Sequence, residues 1–561
     1  MSTLDWTVLS VYLVCIVSFG YWVGRGNRKV DDFFLAGRSM PWWAVGLSVM
    51  ATQISAITLI GTTSQAYNDG MRFLVVYFAL PFAMVILCMT LVPFFYRAKV
   101  TTAYEYLEQR FDLKTRTLMS LLFLLQRGMA MGVTLYAPSL VLSTLFGLSE
   151  PLTILVMGGS TMLYVMKGGN KAVIWTDVVQ MGVVWTGIFS CFFMAVHNLP
   201  EHVSFRGALA IAQTAGRLNA TNLDTSLETP YTLWSGLIGG LFLMLSYFGC
   251  DQSQVQRYLS GSSLMQSRLS LLFNAFFKVP MQFIIVLTGV LVFVFFNFQE
   301  PPALFNSAAR AQFAALDSPE KTAAEAQYKA AFETRRSAAL DLGIARSAAS
   351  EQTYQAAQAD FAKARTNVAT VYKAATHTES YNDVNYIFLH YVLTQIPHGL
   401  IGLIIAVIFA AAMSALSGEL NSLATTTMID FVRRYRGVGT EERDMFLSRM
   451  FTVLWGMFAC LVAMQAGKLG SAIEVVNRFG SYFYGSILGV FMLAVLTKKA
   501  SGTGVTLALF VGMASVALVA TFTKVHFLWW NVVGSVAVFV VGYGLSLVFP
   551  QAAKPSAAAT P

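Results

Sequence analysis

Two hydrophobic segments of this chain carry polar residues where a membrane-spanning helix is normally apolar. They are residues 47–61 (LSVMATQISAITLIG) and 241–256 (LFLMLSYFGCDQSQVQ). An unpaired polar group in hydrocarbon is costly, so such residues need a partner or a polar cavity. Transporters built from two repeated halves break one helix in each half, and the opened backbone there binds ions and solutes near the membrane midplane. The pair of segments therefore indicates secondary transport.

The rest of the chain supplies the helices that would position these segments. Its 561 residues are 56% hydrophobic and 12% charged, whereas soluble proteins are about 25% charged. Apolar runs of about 20 residues, the length that spans a bilayer, recur along it. We predict an all-α membrane protein with about thirteen transmembrane helices, at residues 6–24, 41–64, 71–97, 116–147, 151–167, 171–197, 232–252, 268–298, 392–430, 444–467, 470–496, 501–522 and 526–549.

Basic residues are concentrated in every second one of the predicted loops. They are Arg25, Arg28, Lys29 and Arg38, then Arg97, Lys99, Arg110, Lys114 and Arg116, then Lys167 and Lys171, then Arg257 and Arg268, then Arg433, Arg434, Arg436 and Arg443, then Lys498 and Lys499. By the positive-inside rule the N-terminus lies outside the cell and the C-terminus in the cytoplasm. The net charge of +9 is thus explained by membrane topology. We expect the protein to lie in a plasma membrane, the inner membrane of a bacterium. We expect no nucleic-acid partner.

Residues 299–382 differ in composition from the remainder of the chain. They are rich in alanine, and residues 300–379 carry nine basic and nine acidic side chains. Ser318, Pro319 and Glu320 form a helix start, and Gly343 marks a break. We predict a soluble extracytoplasmic helical insert, which is a candidate docking site for a protein partner. The alternative is a flexible spacer without a function of its own.

Four stretches resemble the sodium:solute symporter family and stand in the family's order. They are DDFFLAGRSMPWWAVGLSVMATQISAITLIG at 31–61, YVMKGGNKAVIWTDVVQ at 164–180, DQSQVQRYLSG at 251–261 and FAAAMSALSGELNSLATTTMIDF at 409–431. The resemblance implies two inverted five-helix repeats with broken first helices, at about 41–197 and 232–496. The chain then divides into a first transmembrane part (1–298), the insert (299–382), a second transmembrane part (383–550) and a cytoplasmic tail (551–561).

The resemblance also implies a site for Na+. Carried over by motif position, the ligands are the carbonyls of Ala51, Ile54 and Ala411 and the hydroxyl of Ser414. Many relatives have two adjacent hydroxyl residues where this chain has Ser414 followed by alanine, so water, Ser417 or another nearby oxygen would complete the site.

Asp177 is an ionisable residue within a predicted span, which by default makes it a functional candidate. The resemblance places it on the sodium exit route or at a second ion. Because Gly418 stands where a second site would use a hydroxyl, we expect one sodium ion per cycle. Alternatively, Asp177 reaches the cytoplasmic interface or pairs with Lys171. Glu419 could tune the ion site, take up a proton or bond helix backbone, and Arg257 is interpreted as a topology anchor in a cytoplasmic loop.

The residues of the solute cavity are predicted from the same resemblance. Where sugar-carrying relatives have Gln and Glu, this chain has Thr58 and Tyr77, which cannot replace them as partners for sugar hydroxyls. Lys278 could attract an anionic solute or pair with a carboxylate. The full set of candidate cavity residues is Gln53, Ser55, Thr58, Tyr77, Tyr247, Phe248, Lys278 and Asn477, with Tyr247 and Phe248 as aromatic gates.

These observations predict a sodium-coupled symporter that moves a small organic solute into the cell by alternating access. A small anion such as a monocarboxylate is the expected solute, and a sugar or an amino acid is the alternative. A transporter-like membrane sensor is a further alternative, disfavoured because only QAAKPSAAATP follows Phe549. We expect no enzymatic activity, since no catalytic motif with the required spacing occurs.

Overall fold

The regular structure of the chain is helical, as the hydropathy pattern predicts. The computed structural model describes residues 2–26, 29–378, 381–466 and 472–550, and within the last range it does not describe the side chains of residues 472–479. Within these ranges, an isolated bridge between Met40 and Gly261 is the one extended pairing. The predicted tail at 551–561 and Arg28 lie outside the described residues.

The first half of the chain forms fourteen helices. They are α1 (Thr3–Val23), α2 (Val30–Leu35), α3 (Trp42–Thr52), α4 (Ala56–Asp69), α5 (Val75–Phe78), α6 (Leu80–Met89), α7 (Leu91–Ala98), α8 (Ala103–Arg110), α9 (Leu113–Phe146), α10 (Glu150–His197), α11 (Phe205–Thr214), α12 (Gly240–Cys250), α13 (Gln252–Leu259) and α14 (Leu264–Phe298).

The second half comprises the helices of the insert and those of the C-terminal apolar segments. They are α15 (Ser307–Ala314), α16 (Pro319–Ile344), α17 (Ala348–Thr376), α18 (Ile387–Gln395), α19 (Leu400–Thr426), α20 (Arg433–Arg436), α21 (Glu441–Ala466), α22 (Ala472–Leu496), α23 (Gly502–Phe522) and α24 (Phe527–Val548). A π-helical turn precedes α12 at Ser235–Gly239, and another continues α19 over Thr427–Val432.

Nine helices in the described ranges are long and apolar enough to cross a membrane, so the count of thirteen spans is not confirmed. Part of the difference lies in α10, whose 48 residues include two of the predicted spans. This helix bends at Gly169, whose φ of 52° suits glycine. A Cβ atom there would come 2.3 Å from the carbonyl oxygen of Phe33, so the bend also needs a residue without a side chain.

Both predicted interruptions are present as breaks in helices. Residues 53–55 separate α3 from α4, and Ser55 caps the second half with its hydroxyl, which accepts a hydrogen bond from the Thr58 amide at 3.2 Å. Asp251 has an extended backbone (φ −83°, ψ 121°) between α12 and α13 and caps α13 through Ser253. Polar side chains at a helix break accept hydrogen bonds from amide groups that have no partner within the helix.

Helix α19 packs against α1, α3, α9, α10, α13 and α21, so it runs through the middle of the bundle. Its N-terminus is held by Asp5 of α1, a buried carboxylate that accepts hydrogen bonds from the amides of Gly399 (2.7 Å) and Gly402 (2.9 Å). A carboxylate is favourable there because the amides at a helix N-terminus are unpaired and carry partial positive charge.

The insert is a packed helical unit rather than a flexible segment. Helices α16 and α17 lie against each other around Tyr328, Phe332 and Phe361, which are buried. Two tyrosines fasten the unit to the end of α14 and the chain after it. The hydroxyl of Tyr354 donates to the Asn297 side chain at 3.0 Å, and that of Tyr328 donates to the Pro301 carbonyl at 2.8 Å.

The contact between α4 and α14 is close enough to test by substitution. A Cβ atom on Gly289 would lie 2.1 Å from the Thr63 carbonyl oxygen, so Gly289→Ala should separate the two helices and cost about 1–3 kcal/mol of stability. Thermal unfolding of the purified protein in detergent should show a lower midpoint. Gly159→Ala is the matched control, since a Cβ atom there meets nothing within 4 Å. Equal midpoints for the two variants would contradict the packing.

Candidate functional site

Asp177 lies at the meeting point of α3, α10 and α19. It is fully buried, and its two carboxylate oxygens accept hydrogen bonds from the hydroxyls of Ser48 and Ser414, each at 2.6 Å. The interpretations in which Asp177 reaches the membrane interface or pairs with Lys171 are therefore wrong. Two candidates predicted separately, the acid on α10 and the hydroxyl on α19, form one hydrogen-bonded cluster.

Arg257 is the nearest cation to this cluster, and it is not a solvated loop anchor as predicted. It is 1% exposed, its Nη1 lies 3.9 Å from Asp177 Oδ2, and Nη1 donates to Asn170 Oδ1 at 3.0 Å. A Cβ atom on Gly418 would come 2.4 Å from Arg257 Nη2. Glycine at 418 thus makes room for the guanidinium group, which balances the charge of the buried acid.

The predicted backbone ligands lie together beside this cluster. Ala51, Ile54 and Ala411 belong to one group of buried residues contributed by the broken helix, α10, α14 and α19. Ser417 also lies on α19, but its hydroxyl donates to the Ser414 carbonyl at 2.9 Å. The structure therefore brings the first broken helix and the Ser414 region of α19 into contact, as the family pattern implies.

A polar face of α14 lies against the first broken helix. Asn274, Lys278 and Gln282 recur every four residues, so they share one side of the helix, and all are fully buried. Gln53 in the break donates to Asn274 Oδ1 at 3.1 Å. Sequence reasoning found Lys278 alone; the four-residue spacing of polar residues in an apolar helix was the signal for the other two.

Lys278 has no carboxylate partner among the described residues, so the pairing alternative is not realised. Its Nζ has no hydrogen-bond acceptor within reach and lies 5.8 Å from the ring centre of Tyr77. Asn274 Nδ2 and both polar atoms of the Gln282 side chain are also without partners. Buried polar atoms are normally satisfied, so these unpartnered groups make this face a candidate site for a polar ligand.

Other predicted cavity residues have local structural partners. The hydroxyls of Ser55 and Thr58 lie 3.3 Å apart at the start of α4. Tyr247 accepts a hydrogen bond from Gln254 at 3.0 Å, and its ring packs edge-on against Phe248. Asn477 lies in α22, but its side chain is outside the described residues.

A second polar network, which sequence reasoning missed, surrounds the break at Asp251. Arg127 of α9 forms ion pairs with Asp251 and with Glu419 Oε1 (3.0 Å), and it donates to the Tyr484 hydroxyl at 2.7 Å. Its guanidinium also lies 5.6 Å from the Tyr247 ring centre. Glu419 therefore bonds an arginine rather than helix backbone. A lone arginine in an apolar segment was the available signal.

Comparison with known proteins gives a family model, curated relatives and a solved structure that match this chain. A sequence model of the sodium:solute symporter family matches residues 33–317 and 359–512. The gap between the two matched segments, residues 318–358, falls in the insert and includes all of α16 and the beginning of α17.

Two curated relatives match almost the whole chain. It is 25% identical over 548 residues to the sodium/sialic acid symporter NanT of Aliivibrio fischeri, which covers 97% of this chain and 92% of the relative. It is 27% identical over 513 residues to the human sodium-coupled monocarboxylate transporter 1, which covers 91% of this chain and 72% of the relative.

The fold is also similar to that of a solved structure, a substrate-bound, outward-open sodium-coupled sialic acid symporter. The two share 24% sequence identity with a TM-score of 0.77, and the match covers 98% of each chain.

The network around Arg127 should be sensitive to loss of its cation. Arg127→Gln leaves two buried carboxylates without their partner, which should cost roughly 3–5 kcal/mol and lower the thermal midpoint in detergent. Adding Glu419→Gln should recover part of the loss, because one uncompensated charge is then removed. Arg206→Gln, an exposed arginine on α11, is the control and should have no effect. A single Arg127 variant as stable as the wild type would refute the network's structural role.

Proposed function

The chain belongs to the sodium:solute symporter family, and from this premise we propose that it couples inward sodium movement to uptake of a small organic anion such as a monocarboxylate. Members of the family are sodium-coupled transporters rather than enzymes. The observation that carries the choice of solute is the buried Lys278, which has no polar partner in the described part of the chain.

The sodium ion would bind between the first break and α19. Ala51, Ile54 and Ala411, whose carbonyls would be the ligands, belong to one buried group of residues, and oxygen is the ligand that hard cations prefer. The Ser414 hydroxyl donates a hydrogen bond to Asp177, so the lone pairs of its oxygen remain free for a cation. In this proposal Asp177 acts through Ser414: it orients the hydroxyl and makes its oxygen a better ligand.

One sodium ion per cycle is supported by Arg257. Its guanidinium lies 3.9 Å from Asp177 and fills the space that Gly418 leaves open. A second sodium ion beside Asp177 would meet this fixed positive charge, and like charges at such distances repel strongly where water is excluded. Each inward sodium ion gains about 2.3 kcal/mol per 100 mV of membrane potential.

The solute would bind on the polar face of α14 that meets the first break. An anion would compensate the Lys278 ammonium, while Asn274 and Gln282 offer unpaired amide groups to other oxygens of the solute. Gln53 joins this face to the break through Asn274. Because the break would also hold sodium, ion and solute share one flexible element, which gives a physical basis for coupling.

A hexose is disfavoured by the same residues. Tyr77 presents an aromatic ring to Lys278, and the Thr58 hydroxyl lies at the capped start of α4. Neither offers the amide or carboxylate group that would bind paired sugar hydroxyls. The relatives that match 90% or more of this chain include a sialic acid symporter, a monocarboxylate transporter and a glucose cotransporter, so these residues alone disfavour a hexose.

We place the protein in a bacterial inner membrane with the N-terminus outside, the C-terminus in the cytoplasm and the insert extracytoplasmic. The alternation of basic loops supports this orientation.

Uptake into proteoliposomes tests the function directly. Labelled lactate, nicotinate, sialic acid, proline and glucose would be offered with and without an inward sodium gradient. We expect sodium-driven accumulation of at least one carboxylate. Accumulation of glucose or proline alone would refute the choice of solute, and equal uptake without sodium would refute coupling in this chain.

Ser414→Ala should weaken activation by sodium, because it removes the hydroxyl ligand and one hydrogen bond of Asp177. The sodium concentration for half-maximal uptake should rise by roughly tenfold, as expected for losing an interaction of about 1.4 kcal/mol. Ser422→Ala is the control, since that buried hydroxyl on the same helix bonds only the Glu419 carbonyl. Unchanged sodium activation in Ser414→Ala would exclude this ion site.

Lys278→Gln should raise the KM for the carboxylate much more than it changes sodium activation. The variant removes the charge that the anion would compensate, whereas the predicted sodium ligands remain in place. Lys278→Arg keeps the charge and should retain more affinity than Lys278→Gln. If Lys278→Gln transports the carboxylate with wild-type KM, the solute does not bind at this lysine.

A further inference from the structure

A polar cavity lies outside the two broken helices, where the insert meets the transmembrane helices. It measures about 500 Å³ and is lined by α16, α17, the end of α4, part of α14, Arg217 and the chain leading to α18. This volume is in the range of sites that hold small organic ligands. The cavity exists because Tyr354 and Tyr328 fix the insert against the end of α14.

The charge of this cavity is strongly one-sided. Four cations line it, Arg217, Arg335, Arg365 and Lys373, against one acid, Asp383. The insert as a whole is neutral over residues 300–379, but three of its cations, Arg335, Arg365 and Lys373, line this cavity together. The acid is engaged, since Asp383 accepts a hydrogen bond from Arg365 at 2.9 Å and another from the Phe305 amide at 2.6 Å.

Arg335 is the most deeply buried of these cations. It is 1% exposed, and its guanidinium stacks 3.5 Å from the ring centre of Phe361. Its Nη2 donates to the Phe296 carbonyl at 2.5 Å, yet its Nε has no hydrogen-bond partner. Burial lowers the pKa of this guanidinium from its ordinary value.

Arg217 is a second cation with unused hydrogen-bonding capacity. It donates to the Asn68 carbonyl and lies 4.8 Å from the Phe293 ring centre, but its Nε is also without a partner. Two arginines with unpaired donors and no carboxylate of their own are unusual, because buried arginines are normally paired. A planar, bidentate acceptor such as a carboxylate matches their donor geometry.

We propose that this cavity binds a small carboxylate anion independently of sodium, at a site distinct from the one that the broken helices form. Asn68, Gln358 and Thr366 line it as well and add polar surface. Such a site would concentrate the anion beside the transmembrane domain and would give the insert a binding function.

The test measures equilibrium binding to the full chain in detergent, in sodium-free buffer. The Lys278→Gln background removes the proposed transport lysine, so a failure here is distinguishable from a failure of the proposed transport site. The probes are labelled nicotinate, lactate and sialic acid, with nicotinamide as the neutral counterpart of nicotinate. We expect saturable binding of at least one carboxylate, weakened by added salt, and none of nicotinamide.

Two matched pairs of variants locate the site. Lys373→Gln should weaken binding by roughly three- to tenfold, as for loss of one partly exposed charge, whereas Lys363→Gln on the exposed side of α17 should not. Arg335→Gln should weaken binding further than exposed Arg336→Gln. The Lys373 pair remains informative if Arg335→Gln does not fold. No saturable binding of any carboxylate, equal binding of nicotinamide, or equal affinity of the Lys373 and Lys363 variants would overturn the proposal.

Discussion

Polar groups at membrane depth are costly unless they are paired, and in this protein α19 supplies partners to both broken helices. Ser414 of α19 bonds Asp177, which also holds Ser48 beside the first break. Glu419, five residues further along, bonds Arg127, which pairs with Asp251 in the second break. The two breaks are therefore connected through one helix, whose N-terminus Asp5 fixes. A rearrangement at one break would therefore change contacts of the helix that also serves the other break.

Much of this architecture was accessible from the sequence, because polar residues in apolar runs have few structural explanations. Both breaks were predicted in this way and are confirmed. The bond between Ser414 and Asp177 was not, since it joins residues 237 positions apart. The prediction for Arg257 was wrong because a basic residue after an apolar segment gives the same sequence pattern whether its side chain is exposed to water or buried in the protein. The ion pair between Arg127 and Asp251 was missed because the sequence does not show that these two residues lie together.

In the insert, too, local structure was predictable from the sequence and long-range contacts were not. Its helices were predictable from their spacing and capping residues, but its contacts were not, because they involve side chains of the membrane helices. Tyr354 reaches Asn297, and Arg335 reaches the Phe296 carbonyl. These contacts create a basic cavity that neither segment has alone. A unit that is neutral in composition thus becomes locally cationic through its arrangement, and this local charge supports an anionic ligand.

The central claim is that sodium and solute bind to the two sides of the first broken helix and stabilise each other there. The most direct test is the linkage between the two binding equilibria, measured with the carboxylate that the protein accumulates best. Sodium should increase the affinity for the carboxylate, and the carboxylate should increase the affinity for sodium by the same factor. A carboxylate affinity that does not change with sodium would contradict the account.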